Sequence, residues 1–184
     1  MYKSIHNQVQ SQGSFSIVPL RSQDRYDIMQ WRNEQIFHLR QNKLLTKEEQ
    51  DRYFDEVVAK QFLQDNPPQL LFSFLQNGEC IGYGGLVHIN YIDRNAEISF
   101  LMNTKLEEAY FEQHWQTYLS LIEKIAFEEA RLHKIYTYAF DLRPRLYVAL
   151  CNAGYKEEAR LKQHCYFEGK YLDVLIHSKW NAHA

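Results

Sequence analysis

The chain has 184 residues, enough to bury one sizeable core and short for two, so a single compact domain is expected. Its formal charge is −2 with 24% charged residues, which gives neither a basic field for a nucleic-acid partner nor an acidic tail. The polar start MYKSIHNQVQSQGSF lacks a signal-peptide pattern and no run of eighteen apolar residues occurs, so no membrane segment is expected and a cytoplasmic protein is.

In chain order, residues 1–14 read as a polar leader, ahead of one domain over 15–184. FSIVPL (15–20) alternates as a first strand, and QDRYDIMQWRNE (23–34) has a helical rhythm. TKEEQDRYFDEVVAKQF (46–62) opens with Thr46 and, three residues later, Glu49, a capping box ahead of helically spaced apolar residues. NPP (66–68) ends that helix. QLLFSFLQ, an Asn77-Gly78 turn and ECIGYGGLVHINYI then form a hairpin, because Asn-Gly supplies the left-handed conformations a two-residue turn needs. RNAEISFLMN (94–103) is a strand, 105–130 a long amphipathic helix and HKIYTYAF (133–140) another strand. PRLYVALCNAG (144–154) is a helix with proline at its start, and 155–167 and 171–180 pair about a Glu168-Gly169 turn. The order β-α-α-β-β-β-α-β-α-β-β predicts an α/β (α+β) fold: a mixed sheet of about seven strands flanked by about four helices.

Cys80, Cys151 and Cys165 are odd in number and widely spaced, so reduced thiols are expected and neither a disulfide nor a metal site is. In the long helix, Phe111, Trp115, Tyr118, Leu119, Ile122, Ile125 and Ala126 form a core stripe, with His114 beside it expected to be exposed.

Three stretches carry a resemblance that spans the chain from about residue 15: WRN (31–33) followed by Arg40; IGYGGL (81–86) leading into AEISFLMN; and FDLRPRLYVALCNAGYKEEARLKQH (140–164), with its Gly154-Tyr155. The chain resembles the GNAT superfamily of N-acetyltransferases, in a subgroup that includes ribosomal-protein alanine and amino-sugar acetyltransferases. The resemblance implies acetyl-CoA as co-substrate, no metal, and direct attack of an amine on the thioester, with a base taking its proton, a backbone N–H holding the oxyanion and an acid reprotonating the thiolate. It favours an amino-sugar nucleotide as the small-molecule acceptor. The alternatives are a protein N-terminus, as in ribosomal-protein alanine acetylation, and a non-catalytic binding module. A homodimer is possible if the second helix or last hairpin exposes apolar surface.

Site residues follow from the same resemblance read onto this sequence. Glu97, a carboxylate in an otherwise apolar strand, is the expected general base, since burying it without purpose would be costly. His88 is a second candidate, a neighbour of Glu97 across the sheet if the turn falls near Asp93-Arg94. Tyr147 is the expected acid. It lies one helical turn before Leu150, where the superfamily often carries its tyrosine. Phe100, Leu101, Met102, Asn103, Lys105, Arg143 and Tyr147 are expected along the cofactor. Trp31, Arg32, His38, Arg40, His164 and Asp173 are expected beside the acceptor, with His164 and Asp173 paired across the last hairpin.

One departure bears on the cofactor. The superfamily usually has a glycine-rich loop before the long helix, whose amides cradle a pyrophosphate; here Asn103-Thr104-Lys105-Leu106-Glu107-Glu108 has no glycine and two carboxylates. Thr104 and Glu107 repeat the capping-box signature, and Lys105 is the expected source of positive charge.

Overall fold

The computed structural model describes residues 1–39 and 41–182. Arg40, expected beside the acceptor, lies outside the described residues. The strands are β1 (Gln10–Gln12), β2 (Phe15–Pro19), β3 (Leu70–Gln76), β4 (Glu79–Asn90), β5 (Asn95–Met102), β6 (Lys134–Phe140), β7 (Lys156–Phe167) and β8 (Lys170–Trp180). They form one sheet in the order β1-β2-β3-β4-β5-β6-β8-β7, antiparallel except for β5 beside β6. The helices are α1 (Arg25–Glu34), α2 (Lys47–Arg52, continued by a π turn Tyr53–Val58 and Ala59–Gln61), α3 (Glu107–Lys124, continued by a π turn Ile125–Glu129) and α4 (Pro144–Asn152).

The eighth strand corrects the reading of residues 1–14 as a leader. β1 pairs with β2, Tyr2 and Ile5 are buried, and the Tyr2 hydroxyl accepts from the Leu71 amide at 2.7 Å and donates to the Leu71 carbonyl at 3.0 Å. Polar composition hid two apolar anchors, each worth about 1.5–3 kcal/mol of burial.

Each face of the sheet carries its own core. Phe74, Ile98, Phe100, Trp115, Tyr118 and Leu146 belong to one, under α3 and α4; Ile28, Trp31, Phe54, Leu71, Tyr83 and Leu101 form the other, under α1 and α2. Alternation along β5 sends Ile98, Phe100 and Met102 to the first face and Leu101 to the second, and so places Glu97 and Ser99 on the second as well. Glycine is required at Gly84 and Gly85, where a Cβ would lie 2.0 Å from the Ser99 carbonyl and 1.9 Å from the Leu70 carbonyl. His114 is buried rather than exposed: its ring packs on Tyr110, Phe15 and Phe74, where β2 and β3 close over α3.

Candidate active site

β5 and β6 pair only over Asn95↔Lys134, Ala96↔Ile135 and Glu97↔Tyr136. Beyond these residues β5 stays with β4 as far as Met102, β6 stays with β8 as far as Phe140, and the sheet forks. The Asn103 amide donates to Ile81 of β4, so two-residue alternation turns the backbone of Leu101 and Ser99 toward β4 and that of Phe100 and Met102 into the fork, while the Ile98 amide still faces Tyr136 at the end of the β5–β6 pairing. The Met102 carbonyl there accepts from Gln35 Nε2 at 2.8 Å.

A cavity of about 700 Å³ occupies the fork and crosses the sheet. Arg32, Gln69, His88, Glu97 and Ser99 line it on the α1/α2 side, and Phe100, Trp115, Thr137, Ala139 and Leu146 on the α3/α4 side.

Glu97 is 7% exposed at the narrow end of the fork. His88 joins it through a β-bulge: Val87 pairs with Glu97 and Asn90 with Asn95, leaving His88 and Ile89 opposite Ala96 alone. Regular alternation would send the imidazole to the opposite face. The bulge, with His88 at φ 52°, brings Nε2 to 3.9 Å from Glu97 Oε2. The pair expected from the sequence thus forms, through a bulge that no residue pattern marked.

At the wide end, Arg143 and His38 approach from opposite faces. Arg143 Nη1 lies 3.0 Å from His38 Nε2, which is 3.1 Å from Gln35 Oε1. Burial, helped by the nearby guanidinium, pushes the His38 pKa down to about 3, so its ring is neutral at ordinary pH. Arg143 Nη2 donates to Glu107 Oε1 at 2.5 Å, and Arg145 Nη2 to Glu107 Oε2 at 3.0 Å. Burial lowers the Arg143 pKa against the opposing pull of Glu107. The Thr104–Glu107 capping box therefore does not form. Asn103 caps the turn instead, its Oδ1 accepting from the Lys105 amide at 3.0 Å, and the Thr104 hydroxyl donates to Glu34. Lys105 is exposed on that turn.

Other expected residues sit elsewhere. The Tyr147 hydroxyl donates to Asp141 Oδ1 at 2.9 Å and its ring stacks on His177, so it is not on the cavity wall; burial and then the Asp141 carboxylate raise its pKa. α4 presents Leu146 to the cavity and turns Tyr147, the expected acid, toward the end of β6. Trp31 is 5% exposed in the α1/α2 core and Leu101 packs in the same cluster. His164 and Asp173 do not pair: β7 is irregular between Leu161 and Cys165, with Gln163 at φ 50°, and Asp173 takes the Gln163 amide and Arg160. His164 is exposed with its ring 6.1 Å from Tyr138. Gln35, Gln69, Thr137 and Arg145 were not anticipated. Only Arg145 had a signal, a cation in the first turn of α4.

A model of the acetyltransferase (GNAT) domain matches residues 17–176. The chain belongs to the GNAT acetyltransferase family. Among curated relatives of this GNAT chain, spermidine N(1)-acetyltransferase of Vibrio cholerae is 26% identical over 129 residues, 69% of this chain and 73% of that one. The structure of V. cholerae spermidine N-acetyltransferase with CoA and spermine matches at a TM-score of 0.76 and 20% identity, over 92% of this chain and 96% of that one. A dodecameric structure of spermidine N-acetyltransferase from V. cholerae matches at 0.72 and 21%, over 92% and 95%. The chain is an N-acetyltransferase of GNAT type, with acetyl-CoA as co-substrate. The fork fits an elongated, amide-bearing arm: backbone amides facing the cleft, an apolar wall of Trp115, Ala139 and Leu146, and arginines at the wide end. No helix among the described residues is long and apolar enough to cross a membrane.

Proposed function

We propose that this chain acetylates a primary amine of a small molecule by direct transfer, with the acceptor on the α1/α2 side of the fork and the cofactor arm on the α3/α4 side. The cavity that passes through the sheet supports this reading, since it lets two reactants meet from opposite faces beside one carboxylate. Bound acetyl-CoA supplies a thioester carbonyl open to attack. The amine forms the C–N bond as the C–S bond breaks, and Glu97 takes the proton that the amine loses. His88, whose side chain is 64% exposed, connects Glu97 to solvent as an exit for that proton. The amide of Phe100, the first beyond the β5–β6 pairing, faces the fork and is the donor for the carbonyl oxygen as it gains charge.

The phosphates are held at the wide end by Arg143, Arg145 and Lys105. Two arginines neutralise Glu107, so the carboxylate expected to repel an anion is already paired. The relatives act on spermidine and lend no support to an amino-sugar nucleotide, so the acceptor reading stays at a small-molecule amine. Val57 and Leu63 at α2, and Tyr166 with Tyr171 on the last hairpin, are exposed apolar groups through which copies of the chain could associate.

The test is Glu97→Gln, assayed by thiol release and by calorimetric titration with CoA. We expect kcat to fall about 10²- to 10⁴-fold with CoA affinity unchanged. Retention of a third or more of the activity would remove Glu97 as base. Absence of CoA binding at millimolar concentration in the wild type would favour the non-catalytic module instead.

A further inference from the structure

We infer that the acceptor carries an anionic group, a carboxylate or a phosphate, in addition to its amine, and that Arg32 receives it. The inference rests on the N-acetyltransferase reading and names the substrate class of the same cavity.

Arg32 lines the cavity from α1, half-buried, and its two hydrogen-bond partners are neutral: Nη1 donates to the Tyr83 hydroxyl at 2.7 Å and Nε to Gln41 Oε1 at 3.1 Å. Every other arginine among the described residues is either exposed, as Arg52, Arg94 and Arg131 are, or ion-paired; Arg21 has Asp24, Arg25 has Asp51, Arg143 and Arg145 share Glu107, and Arg160 has Asp141. Among the described residues, Arg32 alone is withdrawn from solvent with no ion-pair partner. A guanidinium keeps its charge in such a place and offers five donors in a planar fork, of which two are used here. Holding a charge there without a counter-ion is costly, and the cost is recovered when a ligand brings the anion.

The remaining lining bears on the choice of amine. Glu97 is the only carboxylate among the described residues that line the cavity. On the α1/α2 side of the cavity the described residues supply one carboxylate, Glu97, and one guanidinium, Arg32, a set that matches one ammonium and one anion, while Arg143 lies at the wide end against Glu107. A polycation would bring a second ammonium that no further carboxylate among the described lining residues meets, and it would face Arg32. Around Arg32, Gln69 Nε2 donates to the Tyr53 hydroxyl at 2.8 Å and to Gln61 Oε1 at 3.0 Å, a neutral hydrogen-bonding wall that orients polar groups without adding charge.

The experiment is calorimetric titration of the CoA-loaded protein with matched amines: glucosamine 6-phosphate against glucosamine, β-alanine against propylamine, and spermidine. Wild type, Arg32→Gln and Arg32→Lys are compared, and the same amines are then assayed for thiol release from acetyl-CoA. We expect at least one anionic member to bind tenfold or more tightly than its neutral partner. Arg32→Gln should abolish that difference, the anionic amines losing at least tenfold more affinity than their neutral partners, and Arg32→Lys should keep part of it. The two pairs separate phosphate from carboxylate. Equal binding within both pairs, tighter binding of spermidine, or an equal loss for neutral and anionic amines in Arg32→Gln would overturn the inference. If Arg32→Gln fails to fold, the wild-type pairs and Arg32→Lys decide it. Anionic preference in binding without any thiol release would sink the transferase reading and leave this one standing; thiol release with neutral amines equally preferred would do the reverse.

Discussion

The starts of α2 and α3 carry the same four-residue signature, threonine followed three places later by glutamate, and they fold differently. At α2 the box closes on itself: the Glu49 amide donates to Thr46 Oγ1 at 3.3 Å and the Thr46 amide to Glu49 Oε2 at 3.1 Å. At α3 the glutamate is taken by two arginines from the start of α4, and the residue before the threonine does the capping. A capping glutamate is worth roughly 1 kcal/mol to its helix, whereas a partly buried, doubly paired carboxylate commits several times that amount. The stronger, longer-range interaction wins, and it draws the start of α3 into the wide end of the fork while the start of α2 remains a local solution.

The sharpest way to break the contrast is Arg143→Ala, which strips one cation from a carboxylate 16% exposed in its side chain. We expect a stability loss of about 3 kcal/mol in urea unfolding, with unchanged slope and weakened CoA binding. A loss below about 1 kcal/mol would mean that solvent screens the pair.

His38 belongs to the same network, and its sign can be worked out. Its pKa is about 3 folded against 6.5 unfolded, so the unfolded chain binds the extra proton between those values. The stability is whole above pH 6.5 and falls as pH drops toward 3. By pH 5 the loss should reach about 2 kcal/mol, from 1.5 pKa units at 1.36 kcal/mol each. His38→Gln should flatten that part of the curve; an unchanged acid limb would place the ring in solvent.

Thr46→Ala should cost about 1 kcal/mol and roughly 2–4 °C in Tm, with CoA affinity untouched. Thr104→Ala should cost less than about 0.5 kcal/mol, because Asn103 already satisfies the turn. Equal costs for the two threonines would erase the difference between the helix starts.

The element order, the hairpin turns, the Thr46 cap and the sheet's mixed character were legible in the sequence because each depends on neighbours a few residues away. Glu97 stood out for a similarly local reason, a lone carboxylate in an apolar strand. His88 beside it was legible only as a possibility, since one extra residue in β4 decides the face on which it lies. The tertiary structure alone decided where β5 and β6 part, which turns two ordinary strands into a passage through the sheet. It decided as well that Tyr147 serves Asp141, that Tyr2 is core, that Glu107 answers to Arg143 and Arg145, and that Arg32 faces the cavity with no ion-pair partner among the described residues. These outcomes depend on residues tens of positions apart meeting at low solvent exposure, where charge pairing and burial outweigh local propensity, and spacing along the chain does not encode that meeting.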